Sequence, residues 1–471
     1  MRLLSFIAIF FGISNTALAA DDSDIELLNS TLITKLHLDP TANRGQMVGA
    51  YQVSFRNTTN APLSRVSLLL NPSLSFVKAT GSGGAMLAIS SDVTAVAGYE
   101  LLELNVANVR LPEPLGADKR TEIVIHYKGY LTNMTYMAID GVKETLNPDF
   151  TMIRADSFGY PVFAEPKRSS VDAAFAHKPF QQVAFIEYPG SNDIAGSLGV
   201  ADKTQSGGKT KVEMKSNAAT GLFAAAIAPY SHLEAGPVRV SYLTGGMASA
   251  QNFLSLAARE AARIENLLGR PSGTAELRFI ELPAGYGSSP AKGAYFSESS
   301  FFDTSSIAPD IKNAILDLWK SSGGGTPGHW SNGLDAFVQI AISTPENIAT
   351  FQQSNFTASQ QLFSTDKRMG KTSLADYTIE GYSDQSDTVN ALAYSTLYAL
   401  LGPEAFFNFV KSLRVETRGQ YVDAEQVADF MKRNIKDKAA KKFVKNWFSS
   451  GRAGKDMAKA KSFEDLLKRY E

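Results

Sequence analysis

Up to about Gly236, apolar and polar residues alternate with a period of two. In AYQVSFRN, Tyr51, Val53 and Phe55 fall on one side of an extended chain, and Gln52, Ser54 and Arg56 on the other. TEIVIHYKGYL repeats the pattern with Ile123, Ile125 and Tyr127. Turn-forming clusters (NTTNAP, GSGG, YPGSND) separate such runs at the spacing of a β-sandwich. Beyond PVRVSYLTG the period becomes helical. SAQNFLSLAAREAARIENLLG keeps one apolar face and stops at Gly269, a C-cap residue. ELRFIELP reads as a strand, and DTVNALAYSTLYALLG, PEAFFNFVKSL, DAEQVADFMKRN and KAAKKFVKNWFSSG follow as helices. Pro403 suits a first helical turn and Asp423 an N-cap. The pattern predicts a multidomain α+β chain, with an antiparallel β-sandwich over 20–235 and an α-rich domain over 236–471. No internal repeat or long low-complexity linker divides it.

Charge and cysteine content narrow the classes. Lys and Arg number 46 against 47 Asp and Glu, so nothing marks the chain as a nucleic-acid binder. The tail beyond Lys432 is Lys-rich, but Phe443, Val444, Trp447 and Phe448 keep helical spacing, which reads as the solvated face of a packed helix. There is no Cys, which removes thiolate from every metal or nucleophile hypothesis and suits a bacterial periplasm. At the N-terminus, Arg2 precedes an apolar run from Leu3 to Ile13 and an Ala17-Leu18-Ala19 cleavage site. Residues 1–19 therefore read as a signal peptide, too short to stay as an anchor. With no later spanning segment, the expectation is an exported, periplasmic or secreted, protein with no integral membrane segment in its mature chain.

Several stretches, in order, carry a family resemblance. FGYPVFAEP has an aromatic-Pro-x-Phe-acidic pattern, and SNAATGLFAAAIAPYSHLE reads as the closing strands of a sandwich. FIELPAGYGSSPAKGAYFSESSFF reads as strand, substrate loop and strand, LYALLGPEAFFNFVKSL as a late helix pair, and FVKNWFSSG as a closing segment. Together they resemble the aminopeptidase N-like gluzincin metallopeptidases. The resemblance implies a β-sandwich followed by a thermolysin-like, α-rich peptidase domain, without the larger helical domain of the long members.

The chemistry that the resemblance implies is absent from the sequence. The family binds Zn²⁺ with the two imidazoles of His-Glu-x-x-His and a Glu from the next helix. Anchored on Trp319, those positions fall on Asn313, Ala314 (the catalytic Glu) and Asp317; anchored on Asn332-Gly333, the His pair falls on Pro309 and Asn313 and the third ligand on Asn332. The Gly-Ala-Met-Glu-Asn substrate loop falls on Gly287, Ser288, Ser289, Pro290 and Ala291, so Pro290 stands where a carboxylate would hold a substrate amino group. The transition-state Tyr falls near Asp387, with Tyr382 and Tyr394 nearby but out of register. The five histidines, His37, His126, His177, His232 and His329, include no i,i+4 pair.

Three readings follow. The residues favour a non-catalytic pseudo-peptidase, with no cofactor, whose cleft binds a peptide or protein partner. A divergent zinc aminopeptidase and a metal-independent hydrolase using Ser289, Lys292 or His329 are the alternatives. His329, Asp335 and Tyr382 are candidate cleft polar groups, and Asn313, Asp317 and Asp335 a weaker candidate oxygen site for a hard cation. SPAK, from Ser289 to Lys292, matches the S-x-x-K of serine β-lactamases, but a strand rather than a helix is expected there.

Overall fold

The computed structural model describes residues 25–39, 41, 44–99, 101–136, 139–142, 146–175, 180–216, 221–270, 276–286, 289–291, 294–303, 309–316, 319, 330–377, 382–416 and 423–471. The signal-peptide expectation lies outside them.

The alternating segments form the predicted strands. Tyr51, Val53 and Phe55 are buried while Gln52, Ser54 and Arg56 are partly exposed, and Ile123, Ile125 and Tyr127 are buried from the neighbouring strand. These strands belong to an eight-stranded sheet in the order Gly199–Ser206, Lys209–Lys215, Gln181–Pro189, Ile25–Asp39, Arg44–Asn57, Arg120–Gly129, Leu74–Gly81, Met86–Leu87. A four-stranded sheet, Val162–Phe163, Leu63–Leu70, Glu103–Leu115, Ile89–Ala95, shares its core. Aromatic pairs bridge them, with Tyr51 and Tyr160 centroids 5.6 Å apart and Phe55 and Phe163 5.4 Å apart. Among the described strand pairs of these two sheets, all but one are antiparallel. Ile25–Asp39 runs parallel to Gln181–Pro189, in register from Asn29↔Gln181 to Lys35↔Glu187. A parallel pair needs a long crossover, and here about two thirds of the β-rich half lies between its strands.

A small sheet of Thr151–Arg154, Ala224–Ala228 and Asp193–Gly196 leads into a five-stranded one: Ser231–Ala235, Val238–Tyr242, Leu277–Leu282, Ala294–Glu298, Ser289–Ala291. Its inner strands pair in parallel and its edges antiparallel. The 235/236 division drawn from the sequence runs through the Gly236–Pro237 turn of its first hairpin, where Gly236 takes a φ of 57°. Ala224, Ala226, Ala228, Ile280, Leu282 and Phe296 make a common apolar layer between the two sheets.

In order after the short helix α1 (Arg168–Phe175) come α2 (Met247–Leu268), α3 (Ser299–Phe302), α4 (Pro309–Leu316), α5 (Trp330–Ser343), α6 (Ile348–Thr365), α7 (Ser383–Leu401), α8 (Pro403–Glu416) and α9 (Ala424–Asn434). Helix α2 lays Phe253, Ala257, Ala261 and Ile264 against Val240 and Phe279, and ends at Gly269 with φ 75°. The N-terminus of α9 carries the capping box of Asp423 and Gln426. KAAKKFVKNWFSSG departs from a plain helix: Lys438–Val444 is α-helical, and Lys445–Ser449 widens into a π-type turn that buries Trp447 and Phe448 together. Helix α6 has no counterpart in the sequence reading. It buries only Gln352, Phe356, Ser359 and Phe363, too sparse an apolar stripe to stand out. The fold is α+β: a β-rich sandwich followed by an α-rich, peptidase-type half.

Candidate functional site

Helices α4, α5 and α7 carry the positions singled out in the sequence. In α4, which also holds Ala314, the half-buried Asn313 accepts a hydrogen bond on Oδ1 from the Ser343 hydroxyl at the end of α5 (2.8 Å). Trp319 is buried and donates its indole N–H to the Gly269 carbonyl at 2.6 Å, tying the end of α2 to this region. Asn332, in the first turn of α5, has its amide nitrogen 3.4 Å from each carboxylate oxygen of Asp387 on α7. The sequence placed the third zinc ligand at Asn332 and the transition-state Tyr near Asp387, and the fold sets these two positions side by side.

Close helix approach explains what else is possible there. A Cβ on Gly333 would lie 2.4 Å from the Asn390 Cβ and 2.6 Å from the Ala391 nitrogen. Helices α5 and α7 touch at this glycine, and no larger residue fits between them. Around the contact, the Ser331 hydroxyl, the Asn390 amide oxygen and the Tyr394 hydroxyl are buried with no hydrogen-bond partner among the described residues. Asn390 and Tyr394 are one turn apart on the same side of α7. Burial, with the nearby Asp335 charge, pushes the Tyr394 phenol far above its ordinary range.

The other candidate cleft groups are otherwise engaged. Asp335 accepts from Arg414 of α8 at 3.1 Å, with both side chains largely buried. Burial lowers the Arg414 pKa, against the opposing pull of Asp335. Asp335 is thus spent on a guanidinium and is not available to a hard cation. Tyr382 is buried, packs on Tyr377 at 5.6 Å and hydrogen-bonds Asp366. Ser289, Pro290 and Ala291 form the short edge strand paired with Ala294–Glu298, so Ser289 opens no helix and the β-lactamase match loses its context. Gly287, Ser288, Lys292, Asp317 and His329 lie outside the described residues.

Of the described histidines, His232 has the fullest set of partners. Its Nδ1 is 2.9 Å from the Ser241 hydroxyl and its Nε2 2.7 Å from Asp193 Oδ2. Burial pushes the Asp193 carboxyl up, but hydrogen bonds from His232, Lys203 and the Ile194 N–H outweigh it and hold the group well below the usual carboxylate range. Ser241 is buried within its sheet, so the constellation joins strand edges and offers no exposed nucleophile. Its three members are too far apart in sequence for any local motif to reveal them. His126 sits on the sandwich with its pKa lowered by partial burial and by Lys78.

Zinc, the metal that the fold resemblance implies, does not fit these residues. Between α5 and α7 the donors are amides, hydroxyls and one carboxylate, whereas zinc sites are built from imidazole and thiolate with few carboxylates. Among the described residues no three His, Cys, Asp or Glu side chains come together as a metal site.

No family model and no curated protein sequence matches the chain. Solved structures do. A crystal structure of an M1 zinc metallopeptidase from Deinococcus radiodurans superposes with a TM-score of 0.58 at 15% identity, covering 91% of this chain and 95% of that one. A mutant of that peptidase bound to a Tyr-Ser-Ala substrate gives the same values. A two-domain M1 zinc metallopeptidase mutant bound to L-arginine matches with a TM-score of 0.58 at 15% identity, over 90% of this chain and 94% of that one. This chain has the fold of a two-domain M1 peptidase, and at such identity the likeness extends to fold alone.

Proposed function

We propose that the chain is an exported, periplasmic pseudo-peptidase: it keeps a peptidase-like fold and uses the cleft over α4, α5 and α7 to bind a peptide or protein partner without cutting it. The observation that carries this reading is the pairing of Asn332 with Asp387 beside a glycine-packed helix crossing. Amide and carboxylate oxygens there favour hydrogen bonding to a ligand's polar groups over gripping a transition metal. The assignment to the periplasm rests on the signal-like residues 1–19 and the absence of Cys. No helix among the described residues is long and apolar enough to cross a membrane.

Metal analysis of the purified full chain, together with an aminoacyl-arylamide assay, tests the proposal. The expected result is substoichiometric zinc and no turnover above the blank. Stoichiometric zinc with turnover lost on chelation would make the chain a divergent aminopeptidase. Metal-independent turnover abolished by Ser289→Ala would make it a hydrolase reusing the cleft.

A further inference from the structure

A cavity of about 180 Å³ opens in the β-rich half between the strand Leu63–Leu70 and α1. Its origin is in the strand pairing. Val162–Phe163 covers only Leu68 and Leu69, so the stretch from Leu63 to Ser67 has no strand on that side among the described residues. Val66 and Phe163 provide apolar lining, while Arg65, Ser67, Glu165 and Ser170 provide polar groups.

The charges around this cavity are unspent. The exposed Arg65 and the half-buried Glu165 both line it. Among the described residues, neither the Arg65 guanidinium nor the Glu165 carboxylate has an ion pair or hydrogen bond. The Ser170 hydroxyl accepts the Glu165 N–H at 3.0 Å, which leaves its own proton to donate. The Ser67 hydroxyl donates to Asn108 at 3.0 Å, which leaves its lone pairs to accept.

We infer that this cavity binds a small zwitterion of single-amino-acid size, with its carboxylate at Arg65, its ammonium at Glu165 and its aliphatic part on Val66 and Phe163. A plain anion would leave Glu165 without a counter-charge, and a plain amine would leave Arg65 without one. The volume is below the roughly 300–1,000 Å³ of drug-sized sites and suits one amino acid inside it. The inference stands independently of the pseudo-peptidase reading, because it uses none of the α5 or α7 residues.

Isothermal titration of the full chain with L-leucine, N-acetyl-L-leucine and 3-methylbutylamine tests it. Leucine is expected to bind, and the two analogues, each lacking one charge, to bind at least about tenfold more weakly, as expected for a lost charged hydrogen bond. Arg65→Gln should weaken leucine by a similar factor, and Glu165→Gln should narrow the gap between leucine and its N-acetyl form. Asp387→Asn should leave leucine binding unchanged, with circular dichroism confirming that each variant is folded. No leucine binding at about 10 mM, which corresponds to an affinity weaker than the millimolar range, overturns the inference. So does binding that Arg65→Gln and Glu165→Gln leave intact, or binding that Asp387→Asn removes.

Discussion

Two polar clusters, Asp193–His232–Ser241 and the layer between α5 and α7, both join elements distant in sequence, but they treat their hydrogen-bonding groups in opposite ways. In the first, both ring nitrogens of His232 have partners and Asp193 is further held by Lys203 and a backbone N–H. In the second, Ser331, Asn390 and Tyr394 each bury a polar atom without one, and Asn332 meets Asp387 only at 3.4 Å. A saturated network fixes geometry, while unsatisfied buried polar atoms cost stability and concentrate where a protein does something other than fold. The comparison marks the first cluster as a fastening and the second as the place where the proposed function puts a ligand.

The strongest test of that contrast is at the border of the second cluster. Arg414→Ala takes the guanidinium from the buried Asp335 carboxylate and should cost about 3–5 kcal/mol in denaturant unfolding, whereas Arg414→Met combined with Asp335→Leu should recover most of it. Next comes the helix crossing itself. Gly333→Val drives a side chain into Asn390 and should cost about 3 kcal/mol, read as a lowered unfolding midpoint. In the fastening, His232→Ala leaves Asp193 and Ser241 short of a partner and should cost about 2 kcal/mol at neutral pH. The same variant has a pH signature. Asp193 is held below its unfolded value, so its contribution is present above about pH 4 and is lost as pH falls further. The parent chain should therefore lose more stability below that pH than His232→Ala does. The smallest effect sharpens the comparison most. Tyr394→Phe removes a hydroxyl without a partner and should change stability by less than about 0.5 kcal/mol, whereas Tyr160→Phe removes a hydroxyl that donates to the Phe223 carbonyl at 3.0 Å and should cost about 1 kcal/mol.

Local pattern made much of the fold legible. Alternation identified the faces of Tyr51, Val53 and Phe55, Gly269 marked a helix end and Asp423 a helix start, because each depends on residues within a turn or two. The parallel partner of Ile25–Asp39 was not legible, since its register is set by residues about 150 positions away. Helix α6 escaped for a different reason: its buried face includes Gln352 and Ser359, which carry no hydrophobic signal. At the candidate site, the resemblance singled out Asn332 and the neighbourhood of Asp387, but not that they meet. It also left Asp335 open to a ligand, because Arg414, its partner, lies 79 residues downstream.

The hairpin through Gly236 has a practical outcome for anyone dividing this molecule. Ser231–Ala235 covers the rim of Val238–Tyr242, so a fragment cut at that glycine would bare a β-edge able to recruit other chains. A cut upstream of Ser231 keeps the rim covered. The same continuity means that any opening between the halves must flex a hydrogen-bonded sheet instead of swinging on a loose tether.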